Sequence, residues 1–141
     1  MCIRDRVQLV PLSGVVVVST PQDIALADAR KGVSMFQLES INVPVLGLVE
    51  NMAYFSPPDL PDRKYHLFGR DGVKRYAEAS DTPFLGELPL VQAIREAGDA
   101  GRPAALQDGT EAARAIAAVA DRMLEELAKP RTVAPAEQGE S

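Results

Sequence analysis

The sequence predicts an α/β protein, specifically part of a doubly wound parallel sheet. Four consecutive valines, Val15–Val18, do not alternate with polar residues, which is typical of a strand buried on both faces and paired on both sides. A second apolar run, Val43–Val49, follows after one amphipathic segment. The order strand, helix, strand makes a βαβ unit, which is right-handed in nearly all proteins. These observations favour a parallel sheet with helices packed on it.

The segment between these two strands predicts a helix that begins directly after Ser19. Thr20 is suited to cap the helix, Pro21 to occupy its first position, and Asp23 lies three residues after the cap. Apolar residues then recur at helical spacing and give one apolar face. This face consists of Leu26, Ala29, Val33 and Phe36.

Short helices, one more strand and loops account for the rest of the chain. Residues 53–66 predict a loop because three prolines interrupt them. Residues 129–141 are polar and contain proline, which predicts a disordered tail. The remaining predicted elements are a helix at 71–79, a strand at 83–88, a helical turn or two at 91–97 and a long helix at 110–128, with Ala112, Ile116, Val119, Met123 and Leu127 on its apolar face.

Composition excludes several classes of function. The 141 residues suffice for one domain, and a net charge of −5 without a basic stripe argues against a nucleic-acid partner. No apolar run approaches the roughly 20 residues of a membrane-spanning helix, so no membrane partner is expected. With one cysteine and one histidine, an intrachain disulfide is impossible, and we predict no metal site made by one copy. A cytoplasmic location fits this cysteine usage.

Residues 1–6 differ in character from everything downstream. They lack the positive region and apolar run of a signal peptide, and they look like translated adapter sequence. We therefore predict that they, including Cys2, are not native. On that interpretation the chain is a C-terminal fragment whose folded part spans residues 7–128.

Asn51 and Pro89 follow two predicted strands, at the sheet edge where parallel α/β proteins bind ligands. Asn51 allows two interpretations: its side chain caps local backbone, or its amide reads the edge of a base such as adenine. Pro89 likewise either ends its strand or packs on a flat base. Residue spacing alone does not decide between these alternatives.

Other polar and aromatic side chains near this edge carry weaker signals. Tyr54 and Phe55 either form an exposed partner surface or fold back on the core. A metal site made by Glu50 with Asp59 and Asp62 is conceivable, although loop carboxylates are usually solvated. His66 is expected on the surface.

Several runs of the chain resemble the Mrp/ApbC family of iron–sulfur cluster carrier ATPases. The most specific are Glu-Asn-Met-Ala-Tyr-Phe at 50–55 and Ile-Arg-Glu-Ala-Gly-Asp-Ala-Gly at 94–101. The resemblance extends in order over residues 7–128. The other similar runs are 17–32, 43–49, 66–69 and 83–90.

This resemblance implies a MinD-like P-loop NTPase that dimerises around ATP and transfers a 4Fe–4S cluster to apoproteins. It implies that Asn51 and the segment Leu88, Pro89 and Leu90 contact the adenine. The family's phosphate loop, which binds Mg²⁺ and supports hydrolysis, would precede residue 7. We therefore expect no ATPase activity from this chain alone, and no catalytic residue is assigned.

A second departure from the family concerns the cluster ligands. Many members carry Cys-x-x-Cys after the Tyr-Phe pair, where residues 56–65 here hold no cysteine, and a subgroup resembles this cysteine-free form. The expected function is an ATP-dependent iron–sulfur carrier that works as a homodimer. The alternative is a MinD/ParA-like positioning or scaffold ATPase without cluster chemistry.

Overall fold

The protein is built on three parallel strands. A computed structural model describes residues 3–57 and 59–130. In chain order the strands are β1 (Val15–Ser19), β2 (Val45–Glu50) and β3 (Phe84–Glu87), and the sheet order is β1-β2-β3. The predicted parallel α/β sheet is confirmed, with all three strands close to their expected places.

Helices connect and follow the strands. The long helix near the C-terminus is confirmed, and Thr110 caps it by accepting a hydrogen bond from the Ala113 N–H at 3.1 Å. The helical turn or two expected at 91–97 is confirmed as a helix of eight residues at 92–99. Among the described residues no helix is both long and apolar enough to cross a membrane. The helices are α1 (Ile3–Leu9), α2 (Asp23–Gln37), α3 (Gly72–Ala79), α4 (Gln92–Asp99) and α5 (Glu111–Ala128), with a 3₁₀ turn at Ala104–Leu106.

The main core lies between the sheet and helices α2 and α3. Leu48 of β2 is 1% exposed and occupies the centre of this core. The apolar face predicted for α2 is largely confirmed, since three of its four residues are buried. The buried members of the core cluster are Leu26, Val33, Leu48, Val73 and Ala77.

A bulge in β3 changes which side chains face which helix. Leu48 pairs with Phe84, but the next residue of β2, Val49, pairs with Gly86, so Leu85 is an extra residue in its strand. A Cβ on Gly86 would lie 2.9 Å from a methyl group of Val119 in α5. Helix α5 therefore covers the sheet face opposite to Leu48.

The expectation that the valine strand is buried on both faces is wrong for the described residues. β1 is an edge strand there, and Val18 is 56% exposed. The reason is geometric: Val17 faces the α2 side, whereas Val18 pairs with Val49 on the α5 side. Helix α5 packs on β3 and β2 and leaves β1 uncovered on that face.

The predicted start of helix α2 is also wrong, by two residues. The helix begins at Asp23, and Gln22 is its N-cap residue, without a side-chain capping bond. The Thr20 hydroxyl instead lies 3.3 Å from the Gln22 side-chain oxygen. Residues 20–22 connect β1 to α2, and the carbonyl of Pro21 lies close to Gly69 and Gly72, as described below.

The two chain ends bear on the predicted boundaries. Residues 3–6 belong to α1, a helix that was not expected, and Leu9 at its end is 73% exposed. That residues 1–6 are not native stays a prediction. Cys2 and residues 131–141 of the predicted tail lie outside the described residues.

Candidate functional site

The segments that leave β2 and β3 are hydrogen-bonded to each other at the carboxyl edge of the sheet. The Asn51 N–H donates to the Ser19 carbonyl at 2.8 Å, and the Leu88 N–H donates to the Glu50 carbonyl at 2.7 Å. The Ala53 N–H then donates to the Leu88 carbonyl at 3.0 Å. We call residues 51–54 together with 88–90 the exit edge.

All four residues predicted to contact adenine lie on this exit edge. The Leu90 N–H donates to the Tyr54 carbonyl at 2.7 Å, which brings the second segment alongside the first. Leu88 and Leu90 are half-buried, whereas the side chain of Pro89 is fully buried. The structure therefore brings Asn51 close to residues 88–90, but it places the Pro89 ring inside the protein.

Asn51 makes one local hydrogen bond. Its side-chain oxygen accepts the Met52 N–H at 2.9 Å, as the local-capping interpretation expects. Met52 has a left-handed backbone with φ of 53°, which is uncommon for a residue with a long side chain. The amide nitrogen of Asn51 has no hydrogen-bond partner among the residues that the structure describes. The amide oxygen is therefore used within the loop, and the amide nitrogen is a donor that is available to a ligand.

Two glycines, one in the loop before α3 and one at the start of α3, allow the loop after β1 to approach this segment. A Cβ on Gly72 would lie 2.5 Å from the Pro21 carbonyl oxygen, and one on Gly69 would lie 3.3 Å from the same atom. Gly69 also has a φ of 109°, a backbone conformation that residues with a side chain rarely adopt. Glycine at these positions thus allows close packing of the loop after β1 against the start of α3.

Tyr54 anchors the exit edge to helix α5. Its ring is buried, and its hydroxyl donates to a Glu111 carboxylate oxygen at 2.7 Å. The Lys64 ammonium lies 4.2 Å from the ring centroid. Burial, and next the hydrogen bond to Glu111, raise the pKa of Tyr54. Of the two interpretations of the Tyr-Phe pair, the structure supports folding back on the core, with Phe55 half-buried.

Replacing Tyr54 by phenylalanine is expected to lower the free energy of unfolding by about 1–2 kcal/mol, because Glu111 loses a buried donor. Urea denaturation followed by far-ultraviolet circular dichroism measures this change. The matched control is Tyr65→Phe, since Tyr65 is 41% exposed and a surface change of this kind costs within about 0.5 kcal/mol. Equal effects of the two substitutions would contradict the anchoring role of Tyr54.

The loop between Phe55 and Tyr65 begins and ends at neighbouring positions. Phe55 and Tyr65 form an antiparallel bridge, so the loop leaves and returns at one place. The described residues contain no thiol, and the hydroxyl of Ser56 is buried without a partner. Hydroxyls and carboxylates are poor ligands for an iron–sulfur cluster. The loop therefore does not fit ligation of a cluster by cysteine thiolates.

Glu50 was considered with Asp59 and Asp62 on sequence grounds, and the structure corrects this grouping. Asp59 and Asp62 are exposed in the loop, whereas Glu50 is 1% exposed. One carboxylate oxygen from each of Glu50, Asp71 and Glu87 lies within 4.8 Å of the other two. We call Glu50, Asp71 and Glu87 the acidic cluster.

The surroundings of the Glu50 carboxyl raise its pKa. Burial raises the pKa of the Glu50 carboxyl above its usual 4.5, and the charges of Glu87 and Asp71 raise it further. The backbone N–H groups of Val73 and Lys74 act in the opposite direction, because they stabilise the carboxylate. Sequence reasoning missed this arrangement because the three carboxylates come from two strands and a helix cap.

A comparison with models of known protein families shows which family this chain belongs to. The family model described as "ParA: NUBPL iron-transfer P-loop NTPase" matches residues 5–124. The chain belongs to this NUBPL family. The resemblance to iron–sulfur carrier ATPases is thereby confirmed.

The names of similar curated proteins agree with the assignment to the NUBPL family. The chain is 47% identical over 117 residues to an iron–sulfur cluster carrier protein of Synechocystis, covering 82% of this chain and 33% of that protein. It is 47% identical over 121 residues to the iron–sulfur cluster transfer protein NUBPL of Mus musculus, covering 85% and 37%. The chain thus spans about one third of the length of these curated relatives.

A solved structure supports the NUBPL-type fold. The nucleotide-binding protein of Archaeoglobus fulgidus, determined in complex with ADP, superposes with a TM-score of 0.56 and 34% identity. The match covers 64% of this chain and 36% of the archaeal chain. The parallel sheet with flanking helices is therefore that of a nucleotide-binding P-loop protein.

Proposed function

We propose that this protein is an ATP-dependent iron–sulfur cluster carrier and that the described chain supplies the adenine side of its nucleotide site. The family match over residues 5–124 carries this proposal. Relatives named as iron–sulfur cluster carriers or transfer proteins support it. The carrier function makes apo iron–sulfur proteins the clients.

The exit edge has features that suit an adenine base. Because the Asn51 oxygen is occupied by the Met52 N–H, its amide nitrogen is the group that donates to a ring nitrogen of adenine. Leu88 and Leu90 keep part of their apolar surface exposed and supply contacts to the base. The buried Pro89 ring acts indirectly, because it fixes the backbone between these two leucines.

The phosphates of ATP and its Mg²⁺ are assigned to no residue of this chain, since the sequence contains no phosphate-binding P-loop motif. In the proposed function ATP acts as a switch for homodimerisation. The cluster is the cargo. No step in cluster binding is assigned to the loop 56–64, whose residues do not fit thiolate ligation.

The lack of a thiol in that loop favours one alternative, a MinD/ParA-like positioning ATPase without cluster chemistry. Anaerobic reconstitution of the protein with iron and sulfide, followed by visible absorbance, separates the two. A stable cluster signal, together with maturation of an apo iron–sulfur enzyme, excludes the alternative. ATP binding without any cluster transfer would overturn the carrier proposal.

Replacing Asn51 by alanine is expected to weaken ADP binding about tenfold, because a hydrogen bond to the base is lost. Titration of the ¹⁵N-labelled chain with ADP, followed by amide shifts, gives the affinity. The control is Gln37→Ala, which removes an exposed amide at the C-terminal end of α2. An affinity for ADP that is the same in both variants would show that Asn51 only caps its own loop.

A further inference from the structure

Glu50 holds two elements through two different groups. It is the last residue of β2, and its side-chain Oε2 accepts the Val73 N–H in the first turn of α3 at 2.8 Å. Its backbone carbonyl accepts the Leu88 N–H at the exit edge, and the next residue is Asn51. One buried residue therefore connects the start of a helix with the residues proposed to contact adenine.

The side chain of Glu50 replaces a cap that α3 lacks locally. Asp71 is the N-cap residue of this helix, but its backbone is left-handed with φ of 54°, and its side chain makes no capping hydrogen bond. The first N–H groups of a helix need partners from outside the helix. Glu50 provides one from 23 residues earlier in the chain.

Charged groups of both signs lie around the acidic cluster. Asp71 and Glu87 bring negative charge close to it, and Arg70 forms an ion pair with Asp71 at 3.7 Å. A cavity of about 320 Å³ lies beside the cluster, and Arg122 of α5 is held at its wall by a bond to the Leu85 carbonyl at 3.0 Å. The titratable and charged groups that line this cavity are Asp71, Lys74, Glu87 and Arg122.

We propose that Glu50 is a positioning residue for the exit edge, and that gain or loss of its proton shifts the backbone of Asn51 and Leu88. The proposal builds on the proposed function, in which this edge contacts adenine. Glu50 itself does not touch the nucleotide. It acts through the strand end that it shares with Asn51.

The two protonation states make different hydrogen bonds. The ionised carboxylate is a strong acceptor for the Val73 N–H, and Asp71 and Glu87 repel it. The protonated carboxyl is a weaker acceptor, and its O–H donates toward a neighbouring carboxylate. Since the Glu50 side chain and the Leu88 hydrogen bond share one backbone unit, a change of side-chain partner is transmitted to the exit edge.

An NMR titration of the ¹⁵N-labelled full chain between about pH 4 and pH 8 tests this inference. In the wild type the amide resonances of Asn51, Val73 and Leu88 are expected to shift together, with one midpoint above the usual range of a glutamate. The common shift is expected to be lost in Glu50→Gln, which keeps an oxygen to accept the Val73 N–H. In Glu87→Gln it is expected to persist with a lower midpoint, because one like charge is removed.

Thermal stability of the same proteins gives a second readout. Because the pKa of Glu50 is raised on folding, the stability of the wild type relative to Glu50→Gln is greatest below pH 4.5 and is lost as the pH rises through the folded pKa. If Glu50→Gln does not fold, the test rests on the NMR titration alone. It then compares the midpoint of the common amide shift in the wild type with that in Glu87→Gln.

A shift of Val73 without Asn51 and Leu88 would overturn the inference, since Glu50 would then only cap α3. A common shift with an unchanged midpoint in Glu87→Gln would also overturn it. ADP added at both ends of the pH range separates this inference from the proposed function. If ADP perturbs no amide of the exit edge while the common pH shift persists, the nucleotide assignment fails and the positioning role of Glu50 stands.

Discussion

Replacing Leu48 by alanine is expected to lower the free energy of unfolding by about 2–5 kcal/mol, because a fully buried side chain leaves a cavity. Leu48 is 1% exposed and packs against residues of both α2 and α3, among them Val33 and Val73. Urea denaturation measured by circular dichroism gives the change.

The matched control for this substitution is Leu124→Ala on α5. Leu124 is 55% exposed, so the same chemical change removes little buried surface and is expected to alter stability by no more than about 0.5 kcal/mol. Similar losses at both positions would mean that the core does not centre on Leu48.

Replacing Gly72 by alanine is expected to lower the free energy of unfolding by about 1–3 kcal/mol, because the new methyl group would overlap backbone atoms. Its Cβ would lie 2.5 Å from the Pro21 carbonyl oxygen and 3.0 Å from a methyl group of Leu26. The start of α3 and the loop after β1 must separate to accept it. Thermal or urea denaturation measures the loss.

Gly32 of α2 is the matched control for Gly72. Apart from its chain neighbours and the nearby backbone of its own helix, no atom lies within 4 Å of the position that a Cβ on Gly32 would take. Gly32→Ala is therefore expected to raise stability by about 0.5–1 kcal/mol, because alanine favours the helix and restricts the unfolded chain. A loss of stability in Gly32→Ala, or none in Gly72→Ala, would contradict this account of loop packing.

Elements governed by local pattern could be predicted from the sequence. The valine run, the apolar face of α2 and the long helix α5 all depend on residue spacing within one segment. The exit edge could also be anticipated, because carboxyl ends of parallel strands meet at one side of a sheet. This rule alone predicts that Asn51 lies beside Leu88. No property of the two residues themselves indicates it.

What could not be predicted depends on contacts between distant segments. The bulge at Leu85 changes the alternation of β3, so Glu87 reaches the same side as Glu50, and no local pattern marks it. Likewise Glu50 caps α3 from another strand. Thr20 has every local property of a helix cap, yet the helix begins at Asp23 while Pro21 lies against Gly72 of α3, a contact between distant segments.

The buried position of Tyr54 gives the protein an optical reporter of its own. The chain has no tryptophan and only three tyrosines, so near-ultraviolet absorbance and circular dichroism come largely from few chromophores. Tyr54 is the one among them that is both buried and bonded to a carboxylate, at Glu111. Movement of the loop after β2 changes the surroundings of this ring. Ligand binding there should therefore be visible in unlabelled protein as a tyrosine difference spectrum.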